Sequence, residues 1–344
     1  MQINPRGTVL VVGGAGFIGR ELIRQLIASG YSVRAMVRRS GVALEDFRAD
    51  GLEVVPGDLR READLSNALS GIEFVFHLAH AKAKTWDEYQ TDNVEPARLV
   101  GDLCIAKNVK RLVYTGTIDS YYAGSKAGTI TEKTPLDPNI GRRNYYARAK
   151  AAAENILTEM HRSRRLPLVI VRPGIVIGAG GSPFHGAIGR FSENSCEVWG
   201  DGKNKLPLVL VSDVASALVR TIEVSGIEGE SYNLIDLPLL TARDYLDELQ
   251  KRTGQPLVIA NRPIWKLYLP DFAKWIVKVA IRHPDRIRVP SYFDWESRTQ
   301  KANFNCDHAR RELGWQPASN RQRLIDEGIG EAVQSWLHSP TSRQ

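Results

Sequence analysis

The apolar residues of the chain follow two alternating patterns through about residue 175. Short runs of consecutive apolar residues, which strands buried on both faces require, alternate with stretches in which apolar residues recur at helical spacing. The strand-like runs are Val9–Val12, Val33–Val37, Val54–Val55, Phe74–Leu78, Leu112–Tyr114 and Leu168–Val171. Strands that alternate with helices predict an α/β fold with a parallel, doubly wound sheet.

Beyond residue 177 the pattern is less regular. Residues 178–207 are rich in Gly, Ser, Asn and Pro, which predicts a loop with little regular structure. Ser212 is predicted to cap a helix that ends at Glu223, and Thr241 to cap a further helix. Residues 232–235 predict one more strand.

The first strand runs into a glycine-rich turn, Gly13-Gly14-Ala15-Gly16-Phe17-Ile18-Gly19, which opens a helix that Gly30 is expected to end. Glycines at these places allow a tight turn, close approach of the backbone to a pyrophosphate, and close packing of helix on strand. The helix N-terminus adds free N–H groups and a positive dipole end. The turn therefore predicts a dinucleotide site formed by Gly13, Gly16, Phe17, Ile18 and Gly19.

A second signal lies 130 residues later, in a segment rich in strong helix formers that contains Tyr146 and Lys150. Residues four apart share one face of a helix, and a nearby ammonium favours the phenolate of a tyrosine, whose ordinary pKa is about 10. The pair is suited to give or take a proton as a hydride moves. Tyr122 and Lys126 have the same spacing, but Gly124 and Gly128 weaken any helix there, and we interpret that segment as a loop.

Residues 111–117 form a buried-strand pattern that ends in small hydroxyl residues. The glycine turn, Thr115-Gly116-Thr117 and the Tyr146/Lys150 pair resemble, in order and spacing, the extended short-chain dehydrogenase/reductase family, also called the NAD-dependent epimerase/dehydratase family. The resemblance covers nearly the whole chain. It continues through Gly57-Asp58-Leu59, His77-Leu78-Ala79, Asn93-Val94 at the opening of the next helix, Arg172-Pro173-Gly174, Val211-Ser212-Asp213-Val214-Ala215 and Glu312-Leu313-Gly314-Trp315-Gln316-Pro317.

The resemblance implies a Rossmann-type NAD(P)-binding domain over residues 1–177, to which 208–236 return. A smaller substrate-binding lobe is expected over 178–207 and 237–337, with a polar tail over 338–344. It also implies that Thr117 holds the substrate, that Tyr146 is the acid/base and that Lys150 is its partner. Further cofactor contacts are expected from Asp58, which in relatives meets the adenine amino group, and from Leu59, Leu78, Ala79 and Lys150.

The end of the second strand bears on the choice of cofactor. It reads Met36-Val37-Arg38-Arg39-Ser40, without the acidic residue that the family places at the position of Val37 to bind a ribose 2′-hydroxyl. Arg38 and Arg39 could instead bind a 2′-phosphate. We therefore expect NADP, with NAD as the alternative if both arginines are surface residues.

The 344-residue chain carries a formal charge of +7, which raises the question of a nucleic-acid partner. Its arginine groups at 142–143, 162–165, 282–288 and 310–311 lie in separate segments without interleaved aromatic residues, so we expect no nucleic acid and mostly solvated side chains. Three distant cysteines and seven histidines show no ligand spacing, so no metal is expected. Buried thiols, no room for a signal peptide and no membrane-length apolar run favour the cytoplasm.

Three functions stay open. An oxidoreductase would move a hydride between NADP(H) and a carbonyl or secondary alcohol, with Tyr146 as acid/base. A nucleotide-sugar epimerase or dehydratase would keep its NAD(P) bound, but residues 171–178 lack the Asn of many sugar-nucleotide members, and Asp119 is not part of the acidic pair typical of dehydratases. A non-catalytic NADP sensor is disfavoured because the chain keeps both Tyr146 and Lys150.

Residues 264–281 have no counterpart in the compact core of the family. Pro270 is expected to divide the segment, and Phe272, Trp275, Ile276 and Val279 to form one apolar stripe at helical spacing. The stripe either packs on the substrate lobe or forms a hydrophobic lid or interfacial helix for an apolar substrate. Besides a small-molecule substrate, apolar or nucleotide-sugar, a membrane surface and a second copy of the chain remain open as partners.

Overall fold

The computed structural model describes residues 6–38, 51–237, 240–283, 286 and 289–338. Arg39 and most of the predicted tail lie outside the described residues. The strands are β1 (Thr8–Val12), β2 (Ser32–Val37), β3 (Leu52–Pro56), β4 (Phe74–His77), β5 (Arg111–Thr115), β6 (Thr129–Ile130), β7 (Leu168–Pro173), β8 (Ile175–Ile177), β9 (Gly189–Ser192), β10 (Ser195–Trp199), β11 (Leu208–Leu210), β12 (Ser231–Leu234), β13 (Val258–Arg262) and β14 (Asn303–Phe304).

The α-helices are α1 (Phe17–Ala28), α2 (Glu62–Ala68), α3 (Trp86–Tyr89), α4 (Glu95–Ala106), α5 (Tyr145–Arg164), α6 (Val211–Glu223), α7 (Ala242–Thr253), α8 (Ile264–Ala280), α9 (Tyr292–Ser297), α10 (Asp307–Leu313), α11 (Arg321–Arg323) and α12 (Glu331–Leu337). Helical turns with π geometry over Gln90–Val94 and Leu324–Gly330 join α3 to α4 and α11 to α12. Among the described residues, no helix has both the length and the apolar character that a bilayer span needs.

Seven parallel strands of the described chain form one sheet in the order β12-β7-β5-β4-β1-β2-β3. Apolar clusters cover both of its faces, as buried parallel strands require. The predicted Rossmann-type α/β fold is confirmed. Because β1 pairs with β4 on one side and with β2 on the other, the strand order reverses there, and a crevice opens at the carboxyl ends of these parallel strands.

The prediction of an irregular loop over residues 178–207 is wrong. β9 and β10 pair as an antiparallel hairpin, and β13 joins β10 in a three-stranded sheet. Cys196 and Val198 of β10 point into a buried cluster while Ser195 and Glu197 alternate outward, a period-two pattern that the surrounding turn residues obscure. The division into the two predicted domains stays a prediction.

Helix boundaries depart from the predictions in three places. α6 begins one residue before Ser212, which therefore lies inside the helix. The helix that contains Asn93 begins at Trp86, so Asn93 lies within it rather than at its opening. Pro270 lies inside an unbroken α8, at an exposed part of the helix where water can reach the carbonyl that lacks its usual N–H donor.

Other local predictions are confirmed. Thr241 caps α7, since its hydroxyl accepts the amide hydrogen of Asp244 and the Asp244 carboxylate accepts that of Thr241. Gly30 follows α1 with φ +84°, the left-handed conformation expected after a helix end. The segment with Tyr122 and Lys126 is a loop, and all three cysteines are buried free thiols.

Asp236, 1% exposed beyond the end of β12, generates a prediction about stability. Its Oδ2 accepts the Leu210 N–H, and burial together with the charge of Asp213 raises its pKa from 3.8 to about 8. The folded protein holds a proton that the unfolded chain releases near pH 4, so stability should fall as pH rises from about 4 to about 8. Asp236→Asn should remove this loss. In urea titrations, the unfolding free energy of Asp236→Asn minus that of wild type should increase by up to about 1.4 kcal/mol per pH unit across that window.

The exposed Asp201→Asn is the control for this measurement and should follow wild type at every pH. A difference in unfolding free energy between Asp236→Asn and wild type that stays constant from about pH 4 to about pH 8 would contradict the prediction.

Candidate active site

A cavity of about 440 Å³ lies in the crevice at the carboxyl ends of β1, β2 and β4. This volume is in the range of small-molecule and cofactor sites. Most of the predicted cofactor residues line it, whereas Phe17, Ile18, Gly19, Thr117, Tyr146 and Lys150 do not. The predicted residues in its wall are Gly13, Gly16, Arg38, Asp58, Leu59, Leu78 and Ala79.

The glycine turn leaves room only for backbone. Gly13 has φ +88°, and a Cβ built on it would lie 2.8 Å from the amide nitrogen of Ala79. A Cβ on Gly19 would lie 2.4 Å from the carbonyl oxygen of Gly13. These contacts pack the first turn of α1 against the glycine turn beside the crevice, and a helix N-terminus at this place suits an anionic pyrophosphate.

The far end of the cavity is lined by two arginines and two carboxylates. Arg60 donates to Asp58 at 2.6 Å and to Asp92 at 3.1 Å, and its hydrogen bonds lower the pKa of Asp58 to about 2. Arg38 directly follows β2, and its charge helps to lower the pKa of Asp58, although no carboxylate of the described residues forms an ion pair with it within 4 Å. This end of the cavity therefore presents an exposed guanidinium at the place where the second strand stops.

The residues of the cavity fit a nicotinamide dinucleotide. The glycine turn supplies the close backbone approach, and His77 in the cavity wall has two ring nitrogens without a hydrogen-bond partner among the described residues. Burial lowers the pKa of His77 to about 3, so its ring is neutral at physiological pH. Sequence reasoning named His77 only as a marker of the strand end.

The three predicted catalytic residues lie close to each other at the carboxyl end of β5. Asn144 caps α5 by accepting the amide hydrogen of Ala147 at 2.9 Å, which fixes the start of the helix that carries Tyr146 and Lys150. Thr117 lies close enough to Tyr146 to lower the pKa of its hydroxyl. The Lys150 Nζ donates to the carbonyl oxygen of Thr115 at 2.8 Å.

The protonation of this group differs from the expected phenolate. Burial raises the pKa of Tyr146 to about 12, against the opposing effect of the nearby Thr117 side chain. Burial also lowers the pKa of Lys150 to about 8. The loss of hydration is the largest effect on both pKa values, and the Lys150 ammonium does not hold Tyr146 as a phenolate. Tyr146 is therefore a neutral phenol, ready to donate a proton.

His80 is a site residue that sequence reasoning missed. It lines the cavity, and its ring meets the ring of Tyr146 edge to face, with 4.8 Å between centroids. Burial lowers its pKa to about 4. Its place one residue after the marker His77-Leu78-Ala79, at the end of a strand, was the signal that could have found it.

Arg143 was also missed, since the arginines at 142–143 were expected to have mostly solvated side chains. Its inaccessible side chain donates to Asp119 at 2.6 Å, to Asp137 at 3.0 Å and to Asp294 at 3.2 Å. Asn144, beside it, donates to Asp119 at 3.2 Å and to Asp294 at 3.1 Å. The network joins the loop after Thr117, the cap of α5 and helix α9.

Comparison with known proteins agrees with this geometry. The sequence model of the NAD dependent epimerase/dehydratase family matches residues 9–234. The chain belongs to this family. Its relatives include oxidoreductases and epimerases, and it is accordingly an NAD(P)-dependent enzyme.

Two curated relatives of this family member are reductases. It is 34% identical over 177 residues to 2-alkyl-3-oxoalkanoate reductase of Shewanella oneidensis, a match that covers 49% of this chain and 44% of the reductase. The chain thus spans less than half of that relative. It is 26% identical over 334 residues to the 4-hydroxy-2-methyl-3-oxo-4-farnesyl-3,4-dihydroquinoline-1-oxide ketoreductase of Stigmatella aurantiaca, covering 92% of this chain and 94% of that protein.

Among solved structures, MoeE5 in complex with UDP-glucuronic acid and NAD has the same fold. The TM-score is 0.72 at 23% identity, with 98% of this chain and 99% of that chain covered. An identity this low supports the fold alone.

One surface group within the described part of the chain has atoms close enough to share a metal ion. Glu230, His308 and Glu312 place one ligand atom each within 4.8 Å of one another. The ring of His308 also stacks on Tyr232, whose hydroxyl donates to Glu312 at 3.0 Å. Ring stacking, a hydrogen bond and ion pairing account for this cluster, and the absence of a metal stays a prediction.

The close contact of Gly19 with Gly13 predicts that a side-chain methyl group at residue 19 would weaken cofactor binding. Gly19→Ala should push α1 away from the turn and weaken NADPH binding at least about tenfold, or ~1.4 kcal/mol, in a calorimetric titration. Gly128→Ala is the control, because a Cβ there meets nothing within 4 Å. Equal NADPH affinity of the two variants would contradict this reading of the turn.

Proposed function

We propose that the chain is an oxidoreductase that moves a hydride between NADP(H) and a carbonyl or secondary alcohol, with Tyr146 as the acid/base. The observation that carries the proposal is the neutral Tyr146 phenol, which lies beside Thr117 and has its ring in contact with His80 of the cavity wall. A phenol in this state can protonate an oxygen as negative charge develops on it.

The roles of the side chains follow from their positions. A reduced nicotinamide, when bound, supplies the hydride. Thr117 holds the carbonyl oxygen of the substrate by a hydrogen bond, and Tyr146 gives its proton to that oxygen. Hydride and proton together convert the ketone to an alcohol. The Lys150 ammonium then stabilises the phenolate that Tyr146 has become.

A dehydration reaction needs a further acid and base beside the tyrosine, and Asp119 is the acidic residue nearest to Thr117 along the chain. Both of its carboxylate oxygens are occupied, one by the Arg143 guanidinium and one by the Asn144 amide. Withdrawing Asp119 from this network would leave the Arg143 guanidinium partly unpaired in a buried place, which is costly. This arrangement favours the oxidoreductase over a dehydratase.

The substrate class that we propose is a ketone or secondary alcohol with a bulky apolar part. The names of both relatives support it, since one reduces a 2-alkyl-3-oxoalkanoate and the other a farnesyl dihydroquinoline oxide. The UDP-glucuronic acid held by MoeE5 keeps a nucleotide-sugar epimerase as the second candidate.

Substrate turnover separates the two candidates. With NADPH and a 2-alkyl-3-oxoalkanoate as probe, the wild type should oxidise one NADPH for each hydroxy acid formed, whereas an epimerase acting on UDP-glucose would consume none. Tyr146→Phe should lower kcat by about 10²- to 10⁴-fold and leave NADPH affinity nearly unchanged, because only the proton-donating oxygen is lost.

Tyr122→Phe is the matched control, since it removes a hydroxyl that donates to Glu296 outside the proposed catalytic group. Full activity of Tyr146→Phe, together with loss of activity in Tyr122→Phe, would show that the wrong tyrosine has been chosen. Conversion of UDP-glucose without net NADPH oxidation would favour the epimerase.

We propose NADP rather than NAD because Arg38 stands at the end of β2 without a paired carboxylate among the described residues. Arg38→Ala should weaken NADPH far more than NADH, by roughly 10- to 100-fold, since a charge-assisted bond to a 2′-phosphate exists for only one of them. Arg61→Ala, an exposed arginine outside the cavity wall, is the control. Equal losses for both cofactors, or a wild type that prefers NADH, would overturn the assignment.

A further inference from the structure

Exposed apolar side chains are concentrated in one segment of the chain. Among the described residues, twelve large apolar side chains are exposed, and nine of them lie between Trp265 and Phe293. Five belong to α8, of which only Ile264 and Leu267 are buried. The expectation that the stripe in this segment packs on the substrate lobe is therefore wrong for most of α8.

The exposed residues of α8 form a strip along its outward face. Trp265, Leu269, Phe272, Ile276 and Val279 follow one another at steps of four, three, four and three residues, the spacing of one helix face. Phe272 is half-buried, and the other four are 42–52% exposed. We call these five residues the α8 strip. At about 1.5 Å per residue, α8 is roughly 25 Å long.

The opposite face fixes α8 to the protein. Leu267 packs with Trp199 and Trp295 in a buried cluster, and Asp271 accepts a hydrogen bond from the indole of Trp295. The Trp275 indole turns away from the predicted stripe and donates to the carbonyl oxygen of Arg286 at 2.8 Å. Because this inward face is anchored, the α8 strip stays outward on a rigid support.

Charge around the α8 strip has one dominant sign. In the described residues from 264 to 286, the single acidic residue is Asp271, which points inward to Trp295. The basic residues are Lys266, Lys274, Lys278, Arg282 and Arg286. At about 100° per residue, Lys266 and Lys274 lie roughly 100° and 180° around the helix from Trp265, on either side of Val277, which is 58% exposed. These two lysines border the exposed apolar side of α8, whereas Lys278 lies on the anchored side.

We propose that α8 lies flat on the surface of an anionic lipid bilayer, with the α8 strip inserted among the acyl chains and the basic side chains at the headgroups. An amphipathic helix with bulky apolar residues on one face and lysines beside them binds such surfaces through apolar burial and charge attraction. A second copy of this chain is a poorer occupant. A symmetric contact through α8 would bring the lysines of one copy near those of the other.

Flotation with phosphatidylcholine vesicles, with and without phosphatidylglycerol, tests the proposal without any substrate. Wild type should float with the anionic vesicles and remain unbound with the neutral ones. Leu269→Glu/Ile276→Glu should lower the affinity for anionic vesicles at least about tenfold, since two inserting side chains are lost. Lys266→Gln/Lys274→Gln should lower it by about fivefold per lysine.

Matched controls carry the same changes elsewhere on the surface. Val258→Glu/Leu337→Glu alters two exposed apolar residues outside the segment, and Lys107→Gln/Lys133→Gln removes two exposed lysines. Both should float as wild type does. Unchanged thermal unfolding and NADPH affinity in all four variants would show that the fold is kept, as expected for changes at mainly exposed side chains.

Three outcomes would overturn the proposal. The first is a wild type that does not float with anionic vesicles, and the second is equal loss of flotation in the strip variant and its control. The third is a concentration-dependent dimer that Leu269→Glu/Ile276→Glu dissociates while wild type leaves vesicles unbound, which would assign the α8 strip to contact between two copies.

Discussion

The arrangement of the catalytic group depends on one buried cation. The Arg143 guanidinium has no solvent exposure and meets three carboxylates, which come from the loop after β5, from residue 137 and from α9. Removing one partner from such a group leaves buried charge uncompensated, typically at a cost of about 3 to 5 kcal/mol. The same interaction that closes the protein over Arg143 therefore fixes where α5 begins, and with it the position of Tyr146 relative to Thr117.

The loss of water from this region sets the chemistry that the side chains can perform. Burial keeps the rings of His77 and His80 neutral and keeps the proton on Tyr146, while it makes the Lys150 ammonium easier to deprotonate. A neutral phenol next to a cation is a donor whose anion is stabilised as soon as it forms. The site is thus prepared to protonate an oxygen, as the proposed carbonyl reduction requires.

Features set by neighbouring residues along the chain could be predicted from the sequence. A few consecutive residues are enough to predict each strand of the large sheet, the glycine turn and the shared helix face of Tyr146 and Lys150. Arg143 could not be recognised, because one of its partners, Asp294, lies 151 residues away and nothing local distinguishes it from a surface arginine. The exposure of α8 was left as one of two alternatives for a similar reason, since periodicity shows that a helix has an apolar face but not what covers it.

The location of charge explains why the net charge of +7 alone was a poor guide to partners. The buried side chains of Arg111, Arg143 and Arg172 are each paired with a carboxylate, so they contribute little to the field outside the protein. The excess is therefore carried by exposed side chains, and residues 264–288, around α8, hold six basic residues for two acids. Where excess positive charge and uncovered apolar surface occur together, the physical chemistry favours an anionic lipid surface over a nucleic acid, which offers no apolar phase for the α8 strip.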